Sequence, residues 1–205
     1  MENRKLKIII VIFLVFSFSN CATFSKKRFR KEVEKLEIET ISKLNGNYSF
    51  NPIKRYYSLV KPEQKDSIPD SLKSNNGYLF LLNQIPNKNN KFDSISSNEN
   101  NFNLNLILEN NNLLKIKVLE NSKIIKDTTL SGKYRNGMFY LDNNYLECNG
   151  IPYLFGGCRN NKRRIGLTKS GNLLINEAVC NEGALLLIIG EGYSYNLTYE
   201  YKRIE

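Results

Sequence analysis

The sequence predicts an all-β domain: an antiparallel meander of about 8–10 strands that closes as a barrel, or else folds as a β-sandwich, preceded by one short N-terminal helix. Three observations carry this expectation. Apolar and polar residues alternate almost strictly along 102–108 and 114–118. Turn residues recur at hairpin spacing through the rest of the chain, from Asn110–Asn112 to Lys169-Ser170-Gly171. Helical periodicity is almost absent beyond Asn47, which argues against a parallel βαβ fold.

Taken in order, the first element is a leader. Arg4, Lys5 and Lys7 precede an almost unbroken apolar run, Ile8–Phe18, which ends in Ser19-Asn20-Cys21. A basic start and a short apolar stretch mark a secretory signal peptide. A spanning helix needs about 20 apolar residues, so the run is too short for a comfortable membrane span. The exit resembles the lipobox of bacterial lipoproteins, with Asn20 where that pattern carries Gly, Ala or Ser. The resemblance implies a signal peptide over 1–20, acylation of Cys21 and attachment to a membrane of the bacterial cell envelope. A plain cleaved signal and an uncleaved anchor are the other readings of the same residues.

Residues 21–30 then read as the lipidated Cys and a basic tether, with the Lys26–Lys31 cluster resting on anionic headgroups or solvated. Some surface-exported lipoproteins carry acidic residues directly after the Cys. This chain carries basic ones, which implies an outer-membrane protein facing the periplasm.

Residues 31–45 read as the amphipathic helix, with Val33, Leu36, Thr40, Ile41 and Leu44 at three- and four-residue spacing and Gly46 as its stop. Residues 46–205 form one β domain. Beyond the two alternating strands, segments near 122–130, 132–135, 138–142, 144–148, 163–168, 172–179, Ala184–Ile189 and Tyr195–Ile204 continue the series, with Asn136-Gly137 as a tight turn. Two polar stretches, 61–76 and 84–101, read as long loops.

The segment Leu44-Asn-Gly46-Asn-Tyr48-Ser opens the β region after the helix and resembles the start of lipocalins and related calycins, with Tyr48 in place of the family's Trp. In the last strand Tyr195, Leu197, Tyr199, Tyr201 and Arg203 share one face. The resemblance implies a lipocalin-like barrel closed by Arg203 packing over Tyr48. It also implies a small apolar ligand or lipid inside. The inward side chains Leu104, Leu106, Leu108, Leu114, Ile116, Val118 and Leu197 would bury its apolar part, and Tyr195 and Tyr199 would meet a polar head. The same residues would equally fill a solid core. The protein is then a non-enzymatic envelope interaction module, with Ile107, Leu119 or Tyr193 as exposed contacts.

Composition narrows the chemistry. The 205 residues include no His, so Ser-His-Asp and Cys-His sets, His-ligated metal and an imidazole switch are excluded. No cofactor or metal is expected. Glu109, Glu120, Asp127, Asp142, Glu147 and Glu177 are spread singly and form no recognisable acid–base pair. Three Cys remain beyond Cys21. Cys148–Cys158 or Cys158–Cys180 are the possible disulfides, with reduced buried thiols as the alternative. Despite a net charge of +10, Arg159 and Lys162-Arg163-Arg164 lack interleaved aromatics, so they read as a solvated hairpin tip and not as a nucleic-acid site.

Overall fold

A computed structural model of the chain describes Ala22, Phe24 and residues 33–59, 76–84, 101–151, 155–185 and 189–204. The expected signal peptide, Cys21, the Lys26–Lys31 cluster and nearly all of the two expected loops lie outside the described residues.

The structure is mostly antiparallel sheet with one small helix. Its strands are β1 (Val33–Glu34), β2 (Gly46–Ser49), β3 (Lys54–Leu59), β4 (Phe102–Glu109), β5 (Leu113–Glu120) and β6 (Lys123–Arg135). They continue with β7 (Met138–Leu141), β8 (Tyr145–Ile151), β9 (Phe155–Thr168), β10 (Leu173–Leu185), β11 (Ile189–Tyr201) and β12 (Arg203–Ile204). The hydrogen-bonded order is β12-β2-β4-β5-β6-β7-β9-β10-β11-β3, with β1 and β8 also paired to β9. This order has two ends, β12 and β3, and does not close into a ring.

Local chemistry sets the hairpins. Asn110–Asn111, Asn121–Ser122 and Asn136–Gly137 each place two consecutive residues at positive φ, the backbone of type I′ turns that match strand twist. Alternation sets the faces: Leu104, Leu106, Leu114, Ile116 and Val118 are fully buried, while Asn103, Asn105, Lys115 and Lys117 are half-exposed. Gly132 marks a corner. β6 pairs with β5 up to Ser131 and with β7 from Gly132 onward. A Cβ on Gly132 would lie 2.5 Å from the Tyr140 carbonyl oxygen and 2.5 Å from the Phe139 ring.

Several expectations are corrected. No helix spans 31–45: Val33 and Glu34 pair with Thr168 and Leu167, and only Ile41–Leu44 coil, as a 3₁₀ turn. A short isolated helix is marginal in water. Here the end of β9 offers backbone partners, and Thr40 turns the chain by exchanging hydrogen bonds with Glu37. Leu36, Ile41 and Leu44 are buried all the same. The segments near 122–130 and 132–135 are one strand, β6. Ala184–Ile189 is not a strand of its own but holds the end of β10 and the start of β11.

The helix α1 (Gly77–Leu82) was not expected. The Asn76 side chain accepts a hydrogen bond from the Leu79 N–H at 2.9 Å, and Asn83 ends the helix in the left-handed region. Its six residues are too few and too uniformly apolar to show an amphipathic period.

Candidate functional site

The residues expected to meet a ligand come together, and they meet α1. Leu104, Leu106, Leu114, Ile116, Val118, Leu197 and Tyr199 belong to one buried cluster with Tyr78, Leu79, Phe80 and Leu81 of α1, and half-buried Leu108 and Tyr195 pack against it. Phe80 meets Tyr199 edge-on, with ring centroids 4.9 Å apart. A Cβ on Gly77 would sit 3.0 Å from Leu104 and 3.1 Å from Tyr201, so α1 lies directly on the sheet's inner face.

A polar cluster ties the end of α1 to the sheet. Glu177 and Arg163 are direct neighbours across β9 and β10, both buried, and the Arg163 Nη2 donates to Glu177 Oε1. Asn161 Nδ2 donates to the same carboxylate at 3.2 Å and exchanges amide hydrogen bonds with Asn83 at 2.9 and 3.0 Å. Asn143 Nδ2 donates to the Leu81 carbonyl at 2.7 Å. The Arg163 guanidinium lies 5.1 Å from the Phe80 ring centroid. Burial pushes the Glu177 carboxyl above its usual value, against the pull of Arg163. Burial likewise lowers Arg163, against Glu177. The Nε and Nη1 of Arg163 are buried without a hydrogen-bond partner among the described residues.

The expected solvated basic tip is therefore corrected. Arg163 and Arg164 lie mid-strand in β9 and are buried on opposite faces, and Lys162 is half-buried. Alternation sends Arg163 inward to Glu177 and Arg164 outward. There the Arg164 Nε donates to Asn176 Oδ1 at 2.8 Å, its Nη1 donates to the Tyr140 hydroxyl at 3.1 Å, and Phe24 lies over the guanidinium at 4.3 Å. Ala22 packs with Ala178 and Cys180 on the same outer face. Two residues of the expected tether are thus seated on the sheet.

At the other end of the sheet, Arg203 is opposite Tyr48 across β12 and β2. Its guanidinium carbon lies 5.4 Å from the Tyr48 ring centroid, and its nitrogens donate to the Lys43 carbonyl, the Asn45 carbonyl and the Tyr48 hydroxyl. A Cβ on Gly46 would fall 2.7 Å from Arg203 Nη2, so glycine there makes room for the guanidinium. The Tyr48 hydroxyl donates to the Leu44 carbonyl, and burial pushes its pKa up to about 12 against the nearby Arg203 charge.

The remaining candidates are dispersed. Cys148 and Cys158 are cross-strand neighbours joined by a disulfide, and Cys180 is a buried thiol whose Sγ donates to Glu182 Oε1 at 3.1 Å. Ile107 and Leu119 are half-buried, whereas Tyr193 is exposed. Among the described residues no three metal-ligating side chains gather. The Arg163–Glu177 pair went unrecognised in the sequence, although a signal existed. The hairpin turn at 169–171 places 163 opposite 177.

Comparison with protein-family models, with curated proteins and with solved structures finds no match.

Proposed function

We propose that the chain is a lipoprotein of the bacterial cell envelope, acylated at Cys21 and facing the periplasm, whose lipocalin-like barrel has a filled interior and acts as a non-enzymatic interaction module. The observation that carries the filled interior is α1. Its Phe80 and Gly77 occupy the face of Leu104, Tyr199 and Tyr201 that a carrier would keep for its cargo.

Barrel closure has its own support. Lys202 alone separates β11 from β12, and residues 50–53 separate β2 from β3. The two interrupted strands run alongside each other: Glu200 faces Lys54, Arg203 faces Tyr48, and the Ser49 N–H donates to the Lys202 carbonyl at 2.7 Å. β2 also pairs with β4 on its other side. Read as single bent strands, the two ends of the sheet meet.

Native mass spectrometry of the full chain carrying Cys21→Ala, beside an organic-solvent extract of the same sample, tests the interior. The expected result is a clean protein mass without uptake of added fatty acid or phospholipid. A stoichiometric lipid would replace this reading with that of a carrier. The anchor is tested separately: Cys21→Ala should release the protein from membranes, and unchanged membrane retention would refute acylation at Cys21.

A further inference from the structure

We propose that the outer wall of β9 and β10 is a docking site for the chain's own N-terminal segment, where Ala22 and Phe24 form a releasable strap that ties the lipid anchor to the domain. Only the consequence for the anchor rests on the reading of Cys21 as the acylated residue.

The wall is built to be covered. Alternation puts Arg164, Asn176, Ala178 and Cys180 on the outer face, away from the core on the inner face. Outward side chains of a sheet ordinarily meet water. Here Ala178 is 0% exposed and Cys180 6%, because Ala22 packs on both and Phe24 lies against the same group. Phe24 also lies over the Arg164 guanidinium at 4.3 Å and meets Tyr140 edge-on, with ring centroids 5.4 Å apart. The guanidinium is fixed by its hydrogen bonds to Asn176 and Tyr140. Burial lowers its pKa, against the hydrogen bond to Tyr140. The π face of Phe24 suits such a cation, since it shields the charge and attracts it at once.

The strap has room to leave. Phe24 and Val33 are nine residues apart in sequence, while their seats at Arg164 and Thr168 are four residues apart on β9. Nine residues reach up to about 30 Å, and four residues of strand rise about 13 Å. Ala22 and Phe24 can therefore lift from the wall while β1 stays paired to β9. Cys21 is bonded to Ala22. A docked strap keeps the acylated residue one peptide bond from the wall, where a free ten-residue tether would give roughly 15–20 Å of play. Docked, the interaction module is confined to partners at the bilayer surface. Released, it reaches partners further out.

Cys180 reports on the strap, because Ala22 lies on it and the disulfide takes Cys148 and Cys158. Maleimide labelling of the native full chain carrying Cys21→Ala, read by intact mass, is compared with the same chain carrying Phe24→Ser or Phe24→Tyr. Phe24→Ser is expected to label at least tenfold faster at an unchanged thermal midpoint. Phe24→Tyr keeps a ring over Arg164 and should label as slowly as the parent. Equal rates in the parent and Phe24→Ser overturn the strap. Faster labelling that comes only with a lowered midpoint makes Phe24 part of the fold, and overturns it as well. The acylated protein tests the consequence by neutron reflectometry on a supported phosphatidylcholine bilayer. The wild-type domain should adjoin the headgroups, and Phe24→Ser should open a hydrated gap of roughly 15–20 Å. Equal gaps overturn the tie between strap and anchor. Absence from the bilayer refutes acylation at Cys21 and leaves the strap standing on the labelling contrast.

Discussion

Arg203 closes over Tyr48, with its guanidinium carbon 5.4 Å from the ring centroid and its nitrogens on the carbonyls of Lys43 and Asn45. One side chain from the last pair of described residues thereby holds the 3₁₀ turn, β2 and β12 together. Arg203→Ala removes charge-assisted hydrogen bonds and a cation–π contact, and is expected to cost about 2–4 kcal/mol. Arg203→Lys should restore less than half, because an ammonium lacks the planar fork. Urea denaturation of the three proteins measures this, and a loss below about 0.5 kcal/mol would show that the pair does not close the fold.

The same tyrosine sets an alkaline limit. Tyr48 is pushed up to about 12 in the folded state, from 10.0 when free. A raised folded value means that the stabilisation is whole below pH ~10 and is lost as pH rises through about 12, amounting to about 2–3 kcal/mol. Tyr48→Phe has no such proton to lose. Its stability should be lower than wild type at pH 8, by about 1 kcal/mol for the lost hydrogen bond to Leu44, and should overtake wild type at about pH 11. Parallel pH profiles of the two proteins would contradict the burial of this hydroxyl.

The Arg163–Glu177 pair is buried, so breaking it is expected to cost more than replacing it. Glu177→Gln leaves a buried guanidinium without its carboxylate and should cost about 3–5 kcal/mol. The double variant Arg163→Met, Glu177→Leu should recover most of that loss, since no charge is then buried. A double variant as unstable as Glu177→Gln would show that the pair contributes net stability by itself.

Gly132 sits where β6 changes partners. A methyl group there meets the Tyr140 carbonyl and the Phe139 ring at 2.5 Å, and neither is the loose end of a flexible side chain. Gly132→Ala is expected to destabilise by at least about 2 kcal/mol, against a usual gain from replacing glycine in a strand. A thermal midpoint equal to wild type would mean that the corner relaxes freely.

α1 offers a test of the core itself. Phe80→Ala removes a buried ring from the contact with Tyr199 and should cost about 3–5 kcal/mol. Asn76→Ala removes the helix cap and should cost about 1 kcal/mol. Similar small losses for both would place the helix outside the cooperative core.

What the sequence determined by itself is local. Period-two alternation defined β4 and β5, and Asn and Gly at hairpin turns set registers, because a tight turn fixes which residues face each other across it. The face shared by Tyr199, Tyr201 and Arg203 was legible for the same reason. What only the tertiary structure decided depends on distant partners. Val33 and Glu34 have helical spacing but take the free end of β9. Gly77–Leu82 is a helix because an apolar face of the sheet receives it. Arg163 and Arg164, read together as one solvated cluster, are buried on opposite sides of a strand. In each case the local preference is worth a few tenths of a kcal/mol per residue, and burial against a remote surface is worth about ten times as much.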